Sequence, residues 1–438
     1  MLTRKTQNNP KKDTELAGVT ILLPAALLVV LLFFVLEKFF MQVNDGEDFT
    51  HITLCQGDIR ISGAGAEADG DTVLIGQGGH YRIEGTLENG QMYVDSDDDE
   101  IVLLEFCGAS ISNPSEAAVF IEHAEHAAIL LTEGTENQLE SGRKDDKKGD
   151  GAVIYAEGDL EITGKGLLRV IGNLNHGIQS KADLWIESGY IEVKAVGNAL
   201  KGKDSVTIEG GSFRIDAGGK GIQAKHELLI SGGNLRITKA EEGLEANQVF
   251  IEGCTIEIAA EDDGINANGG EDKKKKNPSG DIVETMPNLI IRGGRLYIDA
   301  EGDGLDSNGN LLIEGGEIVI DGPTKDDDGP LDYGKENDGI CRIKGGMVLA
   351  IGSSGMAETF DESSEQCSFR WLLDQPYEAG SEIVITDAGG SELYRHTAAK
   401  TGASVVFSCP QLKQGETYTL FVGEESVEIR QDRISAGK

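Results

Sequence analysis

Aromatic residues make up only 5% of the 438-residue chain, and proline occupies 9 positions. No Gly-X-Y period accompanies the abundant glycine, so a collagen-like or proline-rich rod is excluded. Positive charge is scarce as well: 39 Lys and Arg face 76 Asp and Glu, a formal net charge of −37. Nucleic-acid phosphate is therefore not the expected partner, because phosphate binding needs a surplus of basic side chains. The balance favours solubility, divalent cations, or partners that cations can bridge. The six cysteines stand far apart with no CxxC pair, which describes neither a zinc site nor a redox motif. An even number permits disulfides without requiring them. Neither GxSxG nor HExxH occurs and the seven histidines are scattered, so nucleophilic catalysis finds little support. What remains is a chain with 39% hydrophobic residues and 59 glycines, enough apolar content for a real core.

Residues 16–36, LAGVTILLPAALLVVLLFFVL, carry no charge. A helix of that length spans about 31 Å, the thickness of a bilayer core. Arg4, Lys5, Lys11 and Lys12 precede it, which leaves residues 1–15 as a cytoplasmic tail and the body outside. The alternative, a cleaved signal peptide, lacks a small-x-small cleavage site after Leu36. The span is expected to be a single transmembrane signal anchor.

A repeat decides the fold. Rungs begin at Gly177 (GIQSK), Ala199 (ALKGK), Gly221 (GIQAK), Gly243 (GLEAN), Gly264 (GINAN) and Gly304 (GLDSN), with first steps of 22, 22, 22 and 21 residues. The last step regains this length if 269–287 is a polar insertion. After each rung come two alternating strands separated by a turn, usually Gly-Gly, as in Val206/Ile208, Gly210-Gly211 and Phe213/Ile215. Period-2 alternation marks strands with one buried face. Three short strands per unit cannot bury a face alone, but stacked units can. The expected fold is all-β: a right-handed single-stranded parallel β-helix, with irregular coils at 50–142 and regular ones at 143–360. A second insertion is placed at 322–337 and a small C-terminal antiparallel β domain at 366–430. That domain would cap the open sheet edge. In this register Cys254 falls at a turn and Cys341 in a core slot.

Stacking at about 4.8 Å turns each register position into a column. Just before the rung the column reads His176, Asn198, Lys220, Glu242, Asp263, Asp303. Two positions after the rung residue it reads Gln179, Lys201, Gln223, Glu245, Asn266, Asp306, and four after, Lys181, Lys203, Lys225, Asn247, Asn268, Asn308. One edge thus passes from basic to acidic and amide-rich. Glu242, Glu245, Asp262, Asp263, Asn266, Asn268, Asp303, Asp306 and Asn308 form an oxygen cluster of the composition that Ca2+ requires. A solvated acidic edge is the alternative. Lys181, Lys201, Lys203, Lys220 and Lys225 could meet the spaced carboxylates of an acidic polysaccharide, or be solvated turn lysines. A lyase would need a base beside the metal, for which Lys201 or Lys220 is available. The runs Lys273–Lys276 and Asp326–Asp328 read as insertion loops, and Asp97–Glu100 as an exposed turn.

The order DGAVIYAEGDLEITGKG, NLNHGIQSKADLWIESG, the repeated rungs, GGMVLAIGSSGMAE and SVVFSCPQL followed by YTLF resembles the bacterial carbohydrate-binding β-helix family related in fold to pectate lyases. The resemblance covers about residues 52–422. It implies a cell-surface or secreted parallel β-helix with bound calcium that binds plant-wall polysaccharide such as polygalacturonate or cellulose without cleaving it. By position it implies Asp262, Asp263, Asn266, Asp303 and Asp306 as calcium ligands. Glu242, Lys220 and Asn198 stand where other coils of such proteins often carry Asp, which implies fewer calcium sites here.

Overall fold

The computed structural model describes residues 49–142, 149–268 and 286–437, with the backbone alone at 275–276 and 282–283. The expected membrane span at 16–36 and nearly all of the first insertion lie outside the described residues. Among the described residues no helix is long and apolar enough to cross a membrane.

The chain is all-β and winds as a β-helix-like coil of three parallel ladders. In the first ladder Ile178 pairs with Leu200, then Ile222, Leu244, Ile265 and Leu305 on successive coils. In the second, Leu184 is followed by Val206, Leu228, Val249, Leu289, Leu311 and Cys341. In the third, Ile191 is followed by Phe213, Leu235, Ile256, Leu296, Ile318 and Val348. These residues all face inward and form one continuous apolar column, each at most 4% exposed. Alternation therefore sets which side chain enters the core, and the parallel pairing sets which neighbours it meets. Cys341 lies in its core slot and Cys254 is buried at its turn. All six cysteines are free thiols.

Glycine serves two different purposes in the coils. The second residue of the Gly-Gly turn has a left-handed backbone, with φ of 97° at Gly211 and 90° at Gly233. The rung glycine is instead a matter of close approach. A Cβ on Gly264 would lie 2.3 Å from Ile298 Cγ2 and 2.5 Å from the Gly304 carbonyl oxygen.

Gln248 pairs directly with Asn288, so the first insertion leaves the coil register intact. The second insertion corrects the sequence reading. Leu331 forms a parallel bridge with Leu305. Asp332 N donates to Leu305 O at 2.9 Å, and Ser307 N donates to Asp332 O at 3.3 Å. Part of 322–337 is thus one further rung, because Pro330-Leu331-Asp332 repeats the pattern of Gly304-Leu305-Asp306.

The first strands, Thr50–Cys55 and Arg60–Ser62, pair antiparallel before the parallel regime sets in. At the other end Gly402–Ser408 pairs antiparallel with Met347–Gly352 and continues the third ladder into the C-terminal domain, closing its edge. That domain reaches Ser435–Gly437, beyond the expected boundary, through a parallel pairing with Ser368–Tyr377. Buried Asp321 anchors it, accepting from His396 Nε2 at 2.8 Å, Ala399 N at 3.0 Å and Tyr297 Oη at 3.0 Å.

The tight rung gives a direct test. Gly264→Ala is expected to cost about 1–3 kcal/mol by overpacking, seen as a lower urea midpoint with unchanged slope. Gly389→Ala, where a Cβ would meet nothing closer than 3.2 Å, serves as the control.

Candidate functional site

The backbone confirms the column reading along one edge of the first ladder. Gly177 N donates to Asn198 O, Ala199 N to Lys220 O, Gly221 N to Glu242 O, Gly243 N to Asp263 O and Gly264 N to Asp303 O. One position past the inward side chain, Gln179, Lys201, Gln223, Glu245, Asn266 and Asp306 pair in order. The new rung adds Asp332 after Asp306.

The oxygen cluster is two groups on neighbouring coils. Ligand atoms of Glu242, Asp262 and Asp263 all lie within 4.8 Å of one another, and so do those of Asp303, Asp306 and Asp332. Asp332 is the residue that sequence reasoning missed; the signal was the echo of Leu305-Asp306 in Leu331-Asp332. Hydrogen bonds orient both groups. Asp303 N donates to Asp263 Oδ1 at 2.8 Å, Gly329 N to Asp303 Oδ1 at 2.6 Å, and Asn266 Nδ2 to Asp263 Oδ2 at 2.8 Å. Glu245 accepts from Gln223 Nε2 at 2.9 Å and Asn268 Nδ2 at 2.6 Å. Asn308 is exposed and donates to the Asn268 carbonyl at 3.1 Å, so it belongs to the rim.

Two buried acceptors in the first group have no donor: Glu242 Oε2 and Asn266 Oδ1, on residues each 8% exposed. Buried oxygens normally find a partner. Carboxylate and amide oxygens gathered around orphaned acceptors suit a hard divalent cation. Burial is also the largest influence on the acids. With Asp262 and Asp328 adding repulsion, it pushes Asp263 up to about 6 against the help of the Asp303 N–H. Burial, with Asp263 and Asp332 beyond it, pushes Asp303 up to about 7. Burial and the charges of Asp263, Asp303 and Asp332 push Asp306 up to about 8. Burial raises Glu242 to about 7, opposed by its hydrogen bond from Lys220.

The lysines do not form a row of open cations. Lys181 Nζ lies 2.5 Å from Asp150 Oδ2 and above the ring of Tyr155. Lys220 Nζ lies 2.6 Å from Glu242 Oε1 and 3.4 Å from Glu241 Oε2. Lys201 Nζ lies 3.5 Å from His176 Nε2. Burial, reinforced by Lys181, lowers Lys201, and burial beside Lys201 lowers His176 to about 4. Lys203 is exposed and Lys225 partly so. Asp97, Asp98 and Asp99 line a separate cleft of about 360 Å³ with Glu122, His123 and Glu157. There His123 Nδ1 meets Asp95 Oδ1 at 2.7 Å, and all of Asp95, Asp97 and His123 are exposed.

The model of the carbohydrate-binding domain-containing proteins matches residues 69–329, more than half of the chain. The chain belongs to that family. A relative from Acetivibrio thermocellus, described as a carbohydrate-binding domain-containing protein, is 36% identical over 130 residues, covering 28% of this chain and 45% of its own length. The chain therefore spans less than half of that relative. A solved structure described as a polysaccharide lyase-like protein from C. thermocellum, in a gadolinium derivative, is 31% identical with a TM-score of 0.47 over 48% of this chain and 91% of its own.

The raised acids fix a pH dependence. Without metal, these groups keep protons in the folded protein that the unfolded chain releases above about pH 4. The folded state binds more protons, so stability falls as pH rises from about 4 through the 6–8 range. In chelator, the melting temperature is expected to drop across that window. Asp306→Asn should flatten the drop; a melt rising toward pH 8 would overturn the assignment.

Proposed function

We propose that the chain is a cell-surface carbohydrate-binding protein that recognises an acidic, polygalacturonate-like polysaccharide with the aid of calcium and does not cleave it. One observation carries this reading: two carboxylate triads stack on adjacent coils beside buried oxygens that lack donors. Glu242, Asp262, Asp263 and Asn266 would hold one ion, and Asp303, Asp306 and Asp332 another, with Glu245, Asn268 and Asn308 around them. Calcium supplies positive charge that neutralises the triads and offers coordination positions to a uronate carboxylate. Lys203 and Lys225, on the basic coils of the same edge, would meet further carboxylates along the glycan. Family membership supports carbohydrate as the ligand class. The same reading takes the coil as right-handed and pectate-lyase-like, since parallel crossovers run that way. It also takes residues 16–36 as the anchor that holds the body outside the membrane, which fractionation and protease accessibility of whole cells would test.

A second reading, a calcium-dependent polysaccharide lyase, is favoured by one observation. Burial lowers the pKa of Lys201, the direction that a proton-abstracting base requires. Lys220 does not suit that role: burial opposes its charge, but Glu242 and its acidic neighbours outweigh burial and raise its pKa. Unsaturated uronate absorbing in the ultraviolet, lost in Lys201→Ala, would establish cleavage. The third reading is a structural spacer, for which glycan arrays would stay silent with and without calcium.

At a hundredfold excess over Kd, calcium should stabilise the protein by about 2.7 kcal/mol per site, reversibly with chelator. Asp303→Asn/Asp306→Asn should remove one site's share and weaken calcium-dependent retention on pectin. An unchanged melt and equal retention in chelator would sink the calcium reading.

A further inference from the structure

The column just before the rung is an ordered series of charges, and one member has the wrong sign for a cation site. Asp303, Asp263 and Glu242 are acidic; the next position holds Lys220. Its ammonium lies 2.6 Å from Glu242 Oε1 and 3.4 Å from Glu241 Oε2, on a side chain only 17% exposed. The two oxygens of Glu242 are thereby divided. Oε1 faces Lys220, while Oε2 is buried without a donor, and a carboxylate oxygen of Glu242 lies within 4.8 Å of those of Asp262 and Asp263.

We propose that Lys220 is a built-in cation that closes the ion row: it occupies the place where a further divalent ion would sit between its own coil and that of Glu242, and it tunes the affinity of the neighbouring site. This rests on the calcium reading above. The surroundings of Lys220 already have the oxygen chemistry of a site. Asn198 Oδ1 accepts from Lys220 N at 3.0 Å, and Asn198 Nδ2 donates to Gln223 Oε1 at 2.7 Å. Gln223 Nε2 in turn donates to Glu245 Oε2 at 2.9 Å. Glu241 and Glu242 therefore meet the ammonium directly, and Asn198, Gln223 and Glu245 form a hydrogen-bonded chain across the same coils. A tethered ammonium supplies one positive charge at no translational cost, where a free divalent ion would have to be captured from solution. It also repels an ion bound by Glu242, Asp262 and Asp263, so the first triad should be the weaker of the two.

The test is calcium titration calorimetry on the wild type, Lys220→Asp and Lys220→Gln at pH 8, paired with melting curves in chelator. The wild type should bind two ions per chain. Lys220→Gln, which removes the charge and keeps a side chain of similar reach, should tighten the weaker site about tenfold and leave the stoichiometry at two. Lys220→Asp should bind three ions, and should melt below the wild type in chelator yet recover in calcium. Should Lys220→Asp fold too poorly to titrate, Lys220→Gln decides alone. Unchanged affinity in Lys220→Gln, or a stoichiometry of two in a folded Lys220→Asp, would overturn the inference while leaving the calcium reading in place. A wild type that binds no calcium would remove the calcium reading and this inference together.

Discussion

In-register parallel stacking is the constraint on which every other feature depends. Each coil presents alternating inward and outward side chains, and neither face can choose its neighbours independently. Ile178, Leu200, Ile222, Leu244, Ile265 and Leu305 must share one apolar file. A slip of a single residue would send that file into solvent and bring the carboxylate file into the core. The rung glycines tighten the constraint further, since their missing side chains let the third ladder's isoleucines and the next rung's carbonyls approach.

The outer files inherit the same discipline, and there it becomes electrostatics. Acidic residues that would avoid one another on a flexible surface are held one coil apart by backbone hydrogen bonds formed for a different reason. Burial then penalises their charge, which is why Asp303, Asp306 and Glu242 keep protons so far above ordinary carboxylate values. At Lys181 and Lys220 the chain provides its own counter-charge through Asp150 and Glu242. The edge is thus a graded series, self-neutralised at Lys181 and Lys220 and crowded with carboxylates beyond them.

Much of this was legible in the sequence because the repeat is strict. The step from Gly221 to Gly243 to Gly264 fixes Lys220, Glu242 and Asp263 as vertical neighbours without any coordinates, and the backbone bonds bear this out. Legibility failed where the period lapses. Pro330-Leu331-Asp332 completes a rung but lacks its leading glycine and follows an acidic loop, so Asp332 was read as part of an insertion. The partners of the lysines were likewise hidden. Asp150 precedes the first rung of the series, at Gly177, and nothing in spacing reveals that Lys220 turns toward Glu242 instead of toward a ligand. Side-chain direction depends on which neighbour offers the better hydrogen bond, and a column of letters does not contain it.

The pairing of Gln248 with Asn288 has a practical consequence. The corner between Asn268 and Asn288 tolerates extra chain with no disturbance of the stack, so it behaves as an open port in the scaffold. A folded guest, such as a fluorescent reporter or a second recognition module, could be grafted there through short linkers. It would leave the coil next to Asn268, whose side chain donates to Glu245 on the carboxylate edge.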